Sequence, residues 1–263
     1  MDLHLKDKVI IVSGGAKGIG FGIVKRLAAE KAIPVIIGRN EEDNVLAINK
    51  LKEENLIAHH EVAELTIPDQ CKKAVESVAN RFQRIDGLVN NAGVNDGVGL
   101  ENGSYEGFMQ SLHRNVVHYY LLAHHSLPYL KKSNGSAIVN ISSKTAETGQ
   151  GNTSGYAAAN GGRNALTREW AVELLKYRIR VNAIIVAECW TPLYESWLSK
   201  LPDPQATLKK ITANIPLENR MTTADEIASM AVFLLSDLAS HTTGQLIHID
   251  GGYVHLDRAL ANA

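Results

Sequence analysis

Cysteine is nearly missing from this chain: only Cys71 and Cys189 occur, far apart and outside any metal or redox spacing. That excludes a disulfide scaffold and a cysteine-based zinc site, and it fits a reducing compartment. No apolar run approaches the ~20 residues that a membrane-crossing helix requires. The opening MDLHLKDKVIIV carries charges where a signal peptide has an apolar core. An excess of either charge is absent too. The formal net charge is −1 and the pI is near 6.8, which gives no electrostatic footing for nucleic acid or a membrane surface. Linkers, repeats and low-complexity segments are lacking. What remains is a 263-residue chain of ordinary apolar and charged content, expected in the cytoplasm and long enough for a large core.

Strand-like and helix-like segments alternate along it. Val9 to Val12 is a short continuous apolar run, as expected of a strand buried on both faces. It enters Ser13-Gly14-Gly15-Ala16-Lys17-Gly18-Ile19-Gly20 and then a helical pattern with Ile23 and Leu27 on one face. Gly14, Gly18 and Gly20 permit a sharp turn, and a helix N-terminus placed there offers N–H groups to a pyrophosphate. Further strands are expected at Val35 to Ile37, Leu56 to His60, Ile85 to Val89, Ala137 to Ile141, Arg180 to Ile185 and Gln245 to Ile249. Helices are expected over Pro68 to Arg81 and Tyr105 to Leu130, and a less regular region runs from Thr191 to about Thr223. The pattern predicts one α/β domain over 1–263, a doubly wound parallel sheet of about seven strands.

About 20 residues past the glycine turn, an NAD enzyme places an acid for the ribose 2′-hydroxyl. Gly38 and Arg39 stand there instead, with Lys17 inside the turn; two cations and no acid favour a 2′-phosphate, hence NADP over NAD. The most informative stretch is Val139 to Arg163. A strand ends in Ser142 and Ser143, a polar loop follows, and Ser154 caps an alanine-rich helix that carries Tyr156 and Asn160 on one face. Serine and tyrosine beyond a strand end point to proton chemistry on an oxygen. A tyrosine doing this near neutral pH needs a nearby cation to lower its ordinary pKa of about 10. The position one turn on, where that cation belongs, holds Asn160.

Taken together, SGGAKGIG (13–20), NNAG (90–93), Asn115, the Ser143-to-Tyr156 spacing, Thr191-Pro192 and DGG (250–252) resemble the short-chain dehydrogenase/reductase family over nearly the whole chain. The resemblance implies a Rossmann-type fold, a homotetramer, and hydride transfer between a nicotinamide cofactor and a carbinol or carbonyl. It implies Tyr156 as general acid/base, Ser143 bonding the reacting oxygen and Asn115 holding a water in the proton relay. It places Asn90, Thr191 and Glu61 around the cofactor, with Ile19, Val62, Ala92, Gly93 and Tyr156 completing that set. Ser13 replaces the commoner threonine and keeps its hydroxyl, and Val186-Ala187 replaces a Pro-Gly pair. The serious departure is Asn160, where the family has the lysine that bonds the nicotinamide ribose and stabilises the tyrosinate. A unit charge about 5 Å away at an effective dielectric near 20 is worth roughly 3 kcal/mol, or about two pKa units. On that argument activity falls by roughly 10²–10⁴, and Asn160→Lys restores it. Asn160 then marks either a coding or engineered variant of an active enzyme, which the intact remainder of the site favours, or a non-catalytic dinucleotide-binding pseudoenzyme.

For the substrate, the loop residues Lys144, Gln150 and Asn152, with Asn95, Glu188, Trp190 and Tyr194, offer amides and charges beside aromatic rings. That mixture suits a polyol with several hydroxyls and a C–H face. The segments NNAGVNDG, SSKTAETGQGNTSGY and DGGYVHLDRAL are similar to those of sugar dehydrogenases acting on L-fucose and related aldoses, which oxidise the C1 carbinol to a lactone. A ketoacyl-type carbonyl reductase is the alternative within the family. None of the 10 histidines forms a pair of metal-ligand spacing beside a cysteine or carboxylate cluster, so no metal site is expected, and His248 reads as an ordinary strand position.

Overall fold

Val9–Ser13, five residues all buried, form β1 in the middle of a sheet, as a continuous apolar run dictates for a strand covered on both faces. The computed structural model describes residues 2–256. Around β1 it sets β2 (Ile33–Gly38), β3 (His59–Val62), β4 (Gly87–Asn90), β5 (Ala137–Ser143), β6 (Arg180–Val186) and β7 (Leu246–Ile249). They make one sheet of order β3-β2-β1-β4-β5-β6-β7, with every neighbouring pair parallel. The strand order reverses between β1 and β4, and a ligand crevice opens at the carboxyl ends there.

The alternation of side chains along β1 divides the core in two. Ile10 and Val12 pack with Ile23 and Leu27 of α1 (Gly18–Ala29), Ile48 and Leu51 of α2 (Glu41–Glu53), and Ile227 and Ala231 of α9 (Ala224–Leu235). Val9 and Ile11 face the opposite layer. There they meet Val75 and Val78 of α3 (Pro68–Phe82), Leu122 of α5 (His118–Leu130) and Trp170 of α6 (Ser154–Glu173). Among the described residues no helix is long and apolar enough to cross a membrane.

Three sequence expectations shift. The third strand lies at His59–Val62, not Leu56 to His60: α2 ends at Glu53, Asn55 follows with a left-handed φ of 60°, and Leu56 bonds back to Leu51. As an edge strand β3 has no need of the apolar run that the expectation followed. The long helix over Tyr105 to Leu130 is split into α4 (Tyr105–Leu112) and α5 by a π-helical turn, His113–Val117, with Asn115 at its centre. The region after Thr191 contains two short helices, α7 (Pro192–Leu198) and α8 (Pro204–Thr212). Each starts with proline at its first position and a capping side chain, Thr191 or Asp203, before it. Residues 257–260 of the DGGYVHLDRAL segment lie outside the described residues.

Helix α9 opens with a reciprocal capping box: Glu226 N donates to Thr223 Oγ1 at 3.3 Å and Thr223 N donates to Glu226 Oε2 at 2.8 Å. Arg220 donates to both oxygens of the same carboxylate. Arg220 first, then the Thr223 N–H, hold the Glu226 carboxyl down to about 2. A depressed carboxyl contributes fully above its unfolded value near 4.5 and loses that contribution as pH falls towards 2. Glu226→Gln is therefore expected to lower stability by about 1 kcal/mol or less at neutral pH. The gap from the parent should close between those two pH values, as urea denaturation across the acid range will register.

Candidate active site

The turn between β1 and α1 is shaped by what glycine lacks. A methyl group at Gly20 would stand 2.2 Å from the Gly14 carbonyl oxygen, and one at Gly14 would meet Ala92 Cα at 3.0 Å. Helix α1 then begins without a side-chain cap, its first-turn N–H groups turned to the crevice mouth. Ser13 Oγ accepts from Asn91 N (2.9 Å) and Ala92 N (3.1 Å), while Asn91 Nδ2 donates to the carbonyls of Ser13 and Gly14. The Ser13 hydroxyl thus stitches the glycine turn to the NNAG loop. Thr191 lies against the turn, its Cγ2 3.3 Å from where a Gly18 side chain would begin. Ile19 tucks partly into the core beneath. This cradle of small residues and free N–H groups fits a dinucleotide pyrophosphate.

At the adenosine end, Gly38 closes β2 opposite Val62 of β3, with Glu61 beside it. A Cβ at 38 would stand 2.3 Å from Asn44 Oδ1, on the side chain that donates to the Gly38 carbonyl. Lys17 and Arg39 flank the spot, and both have carboxylate neighbours: Lys17 Nζ with Asp43 at 2.7 Å and Arg39 Nη1 with Glu64 at 3.8 Å. Asn90 points elsewhere than a cofactor-lining role requires. It is fully buried and donates to Asn140 Oδ1 and the Tyr119 carbonyl, inside the core.

Ser143 ends β5, and its Oγ accepts from Thr145 N at 3.3 Å, leaving the hydroxyl proton to donate elsewhere. Ser142 is engaged: it donates to Asn164 Oδ1 at 2.7 Å, against α6. That separation supports Ser143 as the serine for a reacting oxygen. Tyr156 sits half-buried in the first turn of α6. Asn115, in the π turn, accepts from Val94 N at 2.8 Å and donates to the Ser111 carbonyl at 2.9 Å. Asn160 is fully buried, donating to the Tyr156 carbonyl at 2.8 Å.

One residue that sequence reasoning passed over joins all of these. Arg163, 2% exposed, donates from Nε to the Asn115 carbonyl (2.6 Å), from Nη1 to Asn160 Oδ1 (2.8 Å) and the Ile141 carbonyl (3.1 Å), and from Nη2 to Asn115 Oδ1 (3.4 Å). Its guanidinium carbon lies 4.3 Å from the ring centre of Tyr119 and 6.0 Å from that of Tyr156. The available signal was the spacing 156, 160, 163, 167, one helical face.

Of the substrate candidates, Lys144, Glu188 and Tyr194 come together. The Lys144 ammonium bonds one Glu188 oxygen and Tyr194 donates its hydroxyl to the other at 2.9 Å. Tyr253, another residue not singled out, lies with its ring centre 3.8 Å from Lys144 Nζ. Burial, then the Glu188 charge, push the Tyr194 phenol up. Trp190 is 40% exposed nearby, its ring 6.5 Å from Tyr194. Asn95, Gln150 and Asn152 stay on exposed loops. His248 is more than a plain strand position: it bonds Glu147 at 2.8 Å and packs edge-on to His255. These three side chains offer ligand atoms within 4.8 Å of one another.

A parallel sheet with a glycine cradle at its switch point and a serine–tyrosine pair beside it defines a nicotinamide-dependent oxidoreductase. A family model described as enoyl-(acyl carrier protein) reductase matches residues 14–254. L-fucose dehydrogenase of Bos taurus is 36% identical over 253 residues, covering 96% of this chain and 91% of that protein. Among solved structures, the Cj0485 dehydrogenase superposes with a TM-score of 0.92 at 49% identity, covering 98% of both chains. The aldohexose dehydrogenase of Thermoplasma acidophilum gives 0.86 at 27% identity, covering 96% of each. The chain belongs to the short-chain dehydrogenase/reductase family.

Because Gly20 has backbone, not a flexible side chain, at 2.2 Å, Gly20→Ala must deform the cradle. Calorimetric titration with NADP⁺ or NAD⁺ should show affinity reduced at least about tenfold, roughly 1.4 kcal/mol.

Proposed function

We propose that this chain is an NADP-dependent dehydrogenase that oxidises the C1 carbinol of an aldose of the L-fucose type to a lactone. The observation that carries the reading is the Lys144–Glu188–Tyr194 cluster, which begins one residue beyond Ser143. A carboxylate, an ammonium and a phenol held by mutual bonds present fixed donors and acceptors to a polyol. The Tyr253 and Trp190 rings beside them offer faces for its C–H groups. Similarity to an L-fucose and an aldohexose dehydrogenase supports the same class.

In this reading Ser143 donates a hydrogen bond to the C1 oxygen and orients it, and Tyr156 takes up the C1 hydroxyl proton. A bound nicotinamide supplies the acceptor for the C1 hydride. Asn115 fixes the far end of the proton path, its side chain tied to Val94 and Ser111. Lys17 and Arg39, with glycine at 38 in place of an acid, support NADP, and a 2′-phosphate there competes with Asp43 and Glu64 for the two cations. The large loss of activity expected from Asn160 presumed a phenol with no positive neighbour, whereas a guanidinium lies 6.0 Å from the Tyr156 ring centre. A homotetramer is the assembly we assign on the family's pattern, and the cytoplasm is the compartment we assign on cysteine usage and the charged opening segment. The second reading, reduction of an acyl carbonyl, has its support in the description of the matching family model.

Initial-rate assays with L-fucose, other aldoses and acetoacetyl thioester, each with both cofactors, test this. Turnover of L-fucose with NADP⁺ is expected, and turnover of the thioester alone would favour the second reading. Removing both cations (Lys17→Ala with Arg39→Ala) should raise KM for NADP⁺ by at least about tenfold while leaving NAD⁺ nearly unchanged, the scale of one charge-assisted hydrogen bond.

A further inference from the structure

Every hydrogen-bond partner of Arg163 among the described residues is a neutral oxygen: two backbone carbonyls and two amide side chains. A cation held 2% exposed among neutral acceptors keeps much of its desolvation penalty unless an anion forms within reach. The space it fills is reserved for it. A methyl group at Gly93 would stand 2.7 Å from Nη2 and 2.9 Å from Asn115 Oδ1, so with Arg163 and Asn115 in these positions the NNAG loop packs on them through a glycine.

The charges that face this spot from each packed element are few. From the π turn, Arg114 leans on Asp96 at 3.8 Å. From α5, His118 is held down to about 3, by burial first and by Arg163 second, so it carries no charge at neutral pH. Also on α5, Tyr119 donates its hydroxyl to the Ile141 carbonyl, and burial pushes that phenol up. Beyond β5, Lys144 is paired with Glu188. The acid on that side, Asp96, is engaged by Arg114 and by the Ser111 hydroxyl, and the Tyr156 ring centre lies 6.0 Å from the guanidinium carbon.

We propose that Arg163 is the positive partner of Tyr156 in this chain, moved one turn along α6 from the family's lysine position, with Asn160 as the clamp that holds it. The inference rests on Tyr156 being the proton-transferring group. Arg163 acts through that phenol and is a positioning residue. It also gives Asn160 a reason to be an amide: Oδ1 accepts from the guanidinium at 2.8 Å, where an ammonium would repel it. Asn160→Lys alone therefore sets two cations together.

The test uses Arg163→Met and Arg163→Lys, each alone and with Asn160→Lys, and Tyr156→Phe as reference. With L-fucose and NADP⁺, kcat/KM at neutral pH should fall about 10²-fold in Arg163→Met and stay within about threefold of the parent in Arg163→Lys, which keeps the charge. Asn160→Lys should gain nothing by itself, whereas Asn160→Lys with Arg163→Met should return to the parent rate. Parent-level turnover in Arg163→Met, or a gain of about 10² or more from Asn160→Lys alone, would overturn the proposal. Full turnover by Tyr156→Phe would instead sink the functional reading beneath it. Should Arg163→Met fail to fold, the double variant and Arg163→Lys still decide the point.

Discussion

Arg163 reaches from α6 beneath the carboxyl ends of β4 and β5 and bonds three separate pieces of chain there: the π turn, the strand end at Ile141 and its own helix at Asn160. Burial of a guanidinium costs several kcal/mol before any of these bonds form. The surroundings answer that cost with oriented carbonyls and the face of Tyr119. The positions of Asn115, Gly93 and Asn160 are all conditions of housing this one side chain. Where the family pattern has a lysine, this chain has Asn160 and a buried guanidinium one turn on, bonded to that amide.

Most of the frame was legible in the residues. Buried parallel strands declare themselves as apolar runs, and β1, β2, β5 and β6 fall where such runs are. The glycine turn was readable because the Gly14 carbonyl stands 2.2 Å from where a side chain at 20 would begin, a constraint that admits one residue type. The edge strand was misplaced for the complementary reason: His59 to Val62 is half-solvated and polar, while the apolar Ile57 before it is 70% exposed. The sheet decided that pairing, not local propensity.

The site was legible where chemistry fixes spacing and illegible where it depends on reach. Ser143 and Tyr156 follow from strand end and helix start. Arg163 did not follow, because a seven-residue separation along a helix is also what ordinary core packing uses, and arginine there reads as a surface charge. Asn90, which the motif places near the cofactor, donates from Nδ2 to Asn140 inside the sheet, and Asn140 in turn donates to Thr167. A buried polar chain of that kind fixes strand against helix more than it serves a ligand. Glu188 and Tyr194, from an irregular segment, could be suspected but not joined to Lys144 without the fold.

The π turn at His113–Val117 holds one residue more than an α-helical turn would. Such a turn behaves as a ratchet tooth in the chain's reading frame. Deleting any one residue inside it would wind the helix tight and swing everything on the α4 side by about 100° about the axis. The asparagine carbonyl would then leave the guanidinium with only the strand end at Ile141 and its own helix. Length, as much as composition, is therefore under constraint here, and relatives that differ by a single insertion or deletion in this segment would be expected to differ in how they place a cation.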